Sequence, residues 1–151
     1  MKIKKTLFFI LIILLAILLT EYVINNSNNQ SMNQSQNYTV LTTTDNIPFN
    51  IGDSQKYKPS DEDIKNGLQI LENNLRKNTD LLNLAEYKIQ FFGYINNEGE
   101  KILFANHFCR DSGIDWKNNW VGVDGGGNCF FEIKVNLDKE EVFDLKINSI
   151  I

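Results

Sequence analysis

The chain has 151 residues, enough for one domain. Beyond residue 24 it carries 12 basic and 18 acidic groups, which excludes a nucleic-acid binder and argues against adhesion to anionic lipid. From Tyr38 on, about 114 residues remain, and a chain of that size buries roughly 65% of its unfolded surface, so a real core is expected.

In chain order, Lys2, Lys4 and Lys5 come first, ahead of an unbroken apolar run from Leu7 to Leu19. A positive region followed by an apolar one is the layout of an export signal. No further basic residue occurs before Lys56, so the charge bias keeps the N-terminus inside and sends the rest outside. Leu7 to Ile24 would make about 27 Å of helix, close to the roughly 30 Å of a bilayer's hydrocarbon. No small-x-small cleavage site follows the run, and no cysteine stands near Thr20 for lipid attachment. Residues 1–24 are therefore expected to be a signal anchor, with a cleaved signal peptide as the alternative. Residues 25–37, NNSNNQSMNQSQN, are polar and of low complexity and read as a flexible tether.

Residues 38–151 are expected to form the exported domain. Tyr38–Thr44 is β-branched and reads as a strand; Asn46–Pro59 holds both prolines and reads as loop. Ser60 is a helix cap followed by Asp61, Glu62 and Asp63, acidic groups suited to the positive end of a helix dipole. Ile64, Leu68, Leu71 and Leu75 then form one stripe, which predicts a helix over 61–77, weakened by Gly67.

From Tyr87 the apolar period changes to two. Four strands are predicted, Tyr87–Asn96, Lys101–Cys109, Cys129–Leu137 and Val142–Asn148, the first pair joined by the tight turn Asn97-Glu98-Gly99. Ile89, Phe91, Leu103, Ala105, Phe131, Ile133, Phe143, Leu145 and Ile147 all fall on odd positions. Pairing 95 with 101 and 137 with 143 keeps odd opposite odd, the mark of an antiparallel meander with one core face. The expected fold class is α+β, one helix packed on a four-stranded antiparallel meander, a cystatin-like layout preceded by the N-terminal transmembrane or signal helix. The inhibitory Gln-x-Val-x-Gly loop of cystatins is absent.

The pattern Gly93-Tyr94-Ile95-Asn96, Gly99-Glu100-Lys101, Phe108-Cys109, Trp116 or Trp120, Gly126-Gly127-Asn128-Cys129 and Val135-Asn136-Leu137 resembles a group of small exported bacterial proteins of uncharacterised function. The resemblance spans about residues 57–148. It implies an exported domain and brings no activity, cofactor or site residue. Many of that group carry a lipid-anchoring cysteine that this chain lacks.

If the second and third strands form a hairpin, Cys109 faces Cys129, and outside the cytoplasm that pair is expected as a disulfide. His107, the single histidine, is expected as a partly buried, hydrogen-bonded core residue. Asp124-Gly125-Gly126-Gly127-Asn128 leads into a strand rather than a helix, which argues against a phosphate cradle. Asp111, Asp115, Asp124 and Asn128 supply hard oxygens without EF-hand spacing, and no metal or cofactor is expected.

On the even face the third and fourth strands are polar, but the first two carry Phe92, Tyr94, Ile102 and Phe104, with Phe108 and Phe130 at the far end. These six are the candidate binding surface if open to water. The competing reading has either the segment Tyr38–Ile51 or the 110–128 loop, with Trp116 and Trp120, folding over them as a second small core. The functional expectation is a non-enzymatic binding module at the cell envelope. It would be held to the membrane by residues 1–24 and act on a protein partner. The alternatives are a hydrolase-type enzyme or an immunity or accessory protein for a neighbouring gene product.

Overall fold

The computed structural model describes residues 13, 15–22, 37–42, 52, 54–110 and 113–150. Met1–Gln36 and Asn37–Ile151 are separate units. In the first, Ile13 and residues 15–22 are helical. Among the described residues no helix is long and apolar enough to cross a membrane. The remainder of the expected 1–24 segment, residues 25–36 of the tether, and residues 43–51 lie outside the described residues.

The second unit is α+β. Its elements are β1 (Tyr38–Val40), β2 (Gln55–Lys56), α1 (Asp61–Leu75), β3 (Lys88–Ile95), β4 (Lys101–Phe108), β5 (Phe130–Asn136) and β6 (Glu141–Ile147). The expectation of a four-stranded sheet is corrected: six strands form one mixed sheet, in the order β1-β3-β4-β5-β6, with β2 also on β3. β1 runs parallel to β3, so the sheet is not a pure meander, and β2 falls within the stretch expected as loop. The alternation pattern located β3 to β6 because each is long enough to show a period. Two- and three-residue strands show none and form only because β3 leaves its outer edge free to pair.

α1 begins as its sequence dictates. The Ser60 hydroxyl accepts from the Asp63 amide at 3.1 Å, and the Asp63 carboxylate accepts from the Ser60 amide at 2.9 Å. This closes a capping box with Asp in place of the usual Glu. The helix stops at Leu75, two residues before the expected end. Ile64, Leu71 and Leu75 are buried on the odd sheet face together with Phe91, Leu103, Ile133 and Val135. Gly67 proves to be more than a weak point in the helix: a Cβ there would stand 2.5 Å from Leu103 Cδ1, so the glycine sets how closely α1 lies on the sheet. At Gly93, a Cβ would stand 2.8 Å from the Tyr57 carbonyl oxygen, which explains glycine in the middle of a buried strand.

The registers Ile95↔Lys101 and Phe108↔Phe130 match the expectation. The last strand does not. Instead of 137 facing 143, Asn136 pairs with Glu141, Val135 with Val142 and Lys134 with Phe143. The register then shifts, and Glu132 pairs with Lys146. Two residues, Asp144 and Leu145, stand against the single Ile133, and Asp144 takes φ +53°, the signature of a bulge. Phe143 is thereby turned to the other face, where the Lys134 ammonium lies 5.6 Å from its ring centre. Phe143, Leu145 and Ile147, expected in the core, are 36–37% exposed on this edge strand, and Val142 packs against the core instead.

Candidate functional site

β4 and β5 are connected by residues 110–128, a strap whose described part, residues 113–128, folds back across the even face of the sheet. Cys109 and Cys129, at the two ends of this strap, form the expected disulfide, with Cα atoms 5.0 Å apart. Phe92, Tyr94, Ile102 and Phe104 are at most 8% exposed and form a second core with Trp120 packed against it. Phe108 is buried too, its ring edge-on to Trp116 at 5.7 Å, and Phe130 is half-buried. The six residues offered as an open binding surface are therefore brought together, but under the strap. The physical reason is that Trp116 and Trp120 remove the aromatic face from water within the same chain.

Two residues missed by sequence reasoning hold the strap. Gln90 and Asn106 are directly opposed across β3 and β4 and are 0% and 5% exposed. The Gln90 amide nitrogen donates to the carbonyls of Trp116 at 2.6 Å and Asn119 at 2.7 Å. Its oxygen accepts from the Val121 amide at 2.9 Å and from Asn106 Nδ2 at 3.0 Å. Asn106 Nδ2 also donates to the Val121 carbonyl at 2.8 Å. Every donor and acceptor of the Gln90 amide is thus satisfied, as burial of a polar group requires. The signal was present in the sequence. Pairing 95 with 101 also pairs 90 with 106, two amides opposed beside Phe92, Tyr94, Ile102 and Phe104.

Further along the strap, Asn148 Nδ2 donates to the carbonyls of Val123 and Gly125 at 2.8 and 3.0 Å, and the Thr39 hydroxyl to that of Lys117 at 3.0 Å. The Tyr87 hydroxyl donates to the Asn128 carbonyl at 2.6 Å. Gly125, Gly126 and Gly127 all have positive φ, and the Phe130 ring lies where a Cβ on Gly126 would be. Three consecutive residues in this region need glycine, and they turn the strap back beside the disulfide. On its outer side the strap presents Ile114 and Val123, each 39% exposed.

Where the strap meets β5 there is a cleft of about 190 Å³. Its walls include Trp120, Asp124, Phe130, Glu132, Asn106 and Asn148.

The remaining polar candidates are dispersed. His107 is fully buried, stacked on the Phe131 ring at 4.0 Å and edge-on to Tyr87. The expectation of a hydrogen-bonded imidazole is corrected: beyond a weak approach to the Ala105 carbonyl, neither nitrogen has a hydrogen-bond partner. Burial pushes its pKa down to about 3, so it is neutral, and it has no thiol to activate because Cys109 and Cys129 are tied up in the disulfide. Among the hard-oxygen candidates, Asp115 accepts from Asn118 Nδ2 at 2.8 Å and caps a turn of the strap, and Asp111 lies outside the described residues. No group of three or more potential metal ligands occurs among the described residues. Compared with known proteins, the chain matches no family model, no curated protein and no solved structure.

Proposed function

We propose that the chain is an exported binding module, tethered to the membrane through residues 1–24, that acts by contact with a protein partner at the cell envelope, and that the outer side of the strap makes the contact. The observation that carries this reading is the mounting of the strap. A surface loop with two half-exposed apolar side chains, Ile114 and Val123, is fixed to the sheet by three amide side chains and a disulfide. Holding a loop rigid before binding removes the ordering cost from the binding step.

Export is supported by the disulfide, which persists in oxidising compartments. The N-terminal helical residues support the tether. Ile17, Leu18 and Leu19 are consecutive and are 48%, 61% and 58% exposed, an apolar surface facing outward on more than one side of a helix. The order α1 then β3 to β6 fits the helix-then-meander plan of cystatin-like domains, a likeness of layout that carries no function.

A photo-crosslinking residue at Val123 or Ile114 in cells should trap one and the same envelope protein, whereas the same residue at Gln69, exposed on α1, should not. Equal adducts from all three positions, or none from the strap, refute the reading. A reporter fused after Ile151 and active only outside the cytoplasm tests the export half separately.

A further inference from the structure

We propose that the cleft between the strap and β5 is a subsite for a basic side chain, the guanidinium or ammonium of an arginine or lysine on the bound protein; this rests on the binding-module reading above.

The argument is one of hydrogen-bonding inventory. Asn106 and Asn148 both line the cleft, and both amide nitrogens are already committed to strap carbonyls. What each has left is an oxygen, an acceptor. Asp124 and Glu132 add two carboxylates, acceptors only, and neither is in a hydrogen bond or an ion pair among the described residues. No lysine or arginine lines the cleft. The next cation along the face, Lys134, is bound to Asp144 at 2.7 Å and feels the Glu132 charge more weakly, without an ion pair to it. Lys146 stands across from Glu132 in the register but does not ion-pair with it. Two aromatic rings, Trp120 and Phe130, complete the walls.

Carboxylates, amide oxygens and π-faces share one preference: each attracts a cationic donor, and carboxylates and amide oxygens have nothing to offer an anion. The rigid backing matters as well. Gln90 and Asn106 hold the Val121 backbone from below, so the strap wall of the cleft is already in place before a ligand enters. A guanidinium suits the site best, because its flat donor fork engages a carboxylate and its face stacks on an aromatic ring.

The test uses the full domain and a model side chain. Nα-acetyl-arginine methylamide is titrated while the Trp120 indole and the Asp124 and Glu132 backbone amides are followed by NMR, with Nα-acetyl-norleucine methylamide as the uncharged control. The arginine probe should give saturable shifts at these positions, and the norleucine probe none. Asp124→Asn or Glu132→Gln should weaken the probe about tenfold, the value of one short charge pair out of bulk water. The rest of the spectrum should be unchanged. Equal response to the norleucine probe, no saturation by the arginine probe, or undiminished binding in both variants overturns the inference. Adducts at Val123 with no probe binding would remove the subsite and leave the binding module standing. Probe binding without adducts would do the reverse.

Discussion

At the scale of single residues, His107 is the group that most clearly ties burial to behaviour in solution. Its imidazole has a folded pKa of about 3, against about 6.5 when unfolded. Above pH 6.5 neither state binds the proton and the residue costs nothing. Below it the unfolded chain takes up a proton that the folded chain refuses, so stability falls as the pH drops from 6.5 toward 3. At about pH 4.5 the loss should be roughly 2–3 kcal/mol. Urea denaturation at both pH values measures it. His107→Leu, similar in size and without a titrating group, should flatten that slope; an equally steep slope in the variant would show that other groups cause it. The sequence placed His107 on the odd face of its strand, and there it is. What the sequence cannot show is that both nitrogens would go without partners, because that depends on Phe131 and Tyr87 packing against the ring from two other segments.

At the scale of elements, the strap is the feature on which the functional reading depends. Both tryptophans of the chain lie in it, so tryptophan emission reports on its docking. Gln90→Leu removes the bonds to the Trp116 and Asn119 carbonyls and to the Val121 amide. Leaving such groups without partners should cost about 3 kcal/mol or more, together with a red shift in emission as the strap loosens. Unchanged emission and stability would mean that the strap is held by its aromatic contacts alone. The hairpin registers of β3–β4 and β4–β5 were legible because a tight turn and a cysteine pair each pin them. The β5–β6 register was not legible. A bulge at Asp144 adds a residue that alternation alone does not count, and every side chain before it changes face. The same bulge, with Asp144 and Lys146, roughens an edge that would otherwise be open to another strand. The two hairpin tips also gain an explanation at this scale. Asn96 and Asn136 each accept two backbone amides in adjacent turns, and the Glu100 carboxylate accepts from both side chains. These bonds tie the β3–β4 and β5–β6 hairpin tips together.

At the scale of the whole molecule, the sheet is covered by α1 on its odd face and by the strap on its even face, giving two cores of unequal size. The disulfide joins the ends of the strap across 20 residues of sequence. On loop entropy its reduction should cost about 3 kcal/mol, seen as a lower urea midpoint in dithiothreitol. The folded circular dichroism signal should survive without denaturant, since the β4–β5 ladder already closes the same loop. Complete unfolding on reduction would show that the bond holds the domain together. By itself the sequence determined the position and cap of α1, the four long strands, the odd core face and the facing cysteines. The helix, the strands and the core face are written in local periodicity and a short turn, and the cysteines face each other once the two strands that they bound are paired. The tertiary structure alone decided that β1 and β2 join the outer edge of β3, that β6 takes a different register broken by a bulge, and that the aromatic even face lies under the strap rather than in water. These outcomes depend on contacts between segments far apart in the chain, where a pattern of apolar residues shows which face seeks cover but not which segment supplies it.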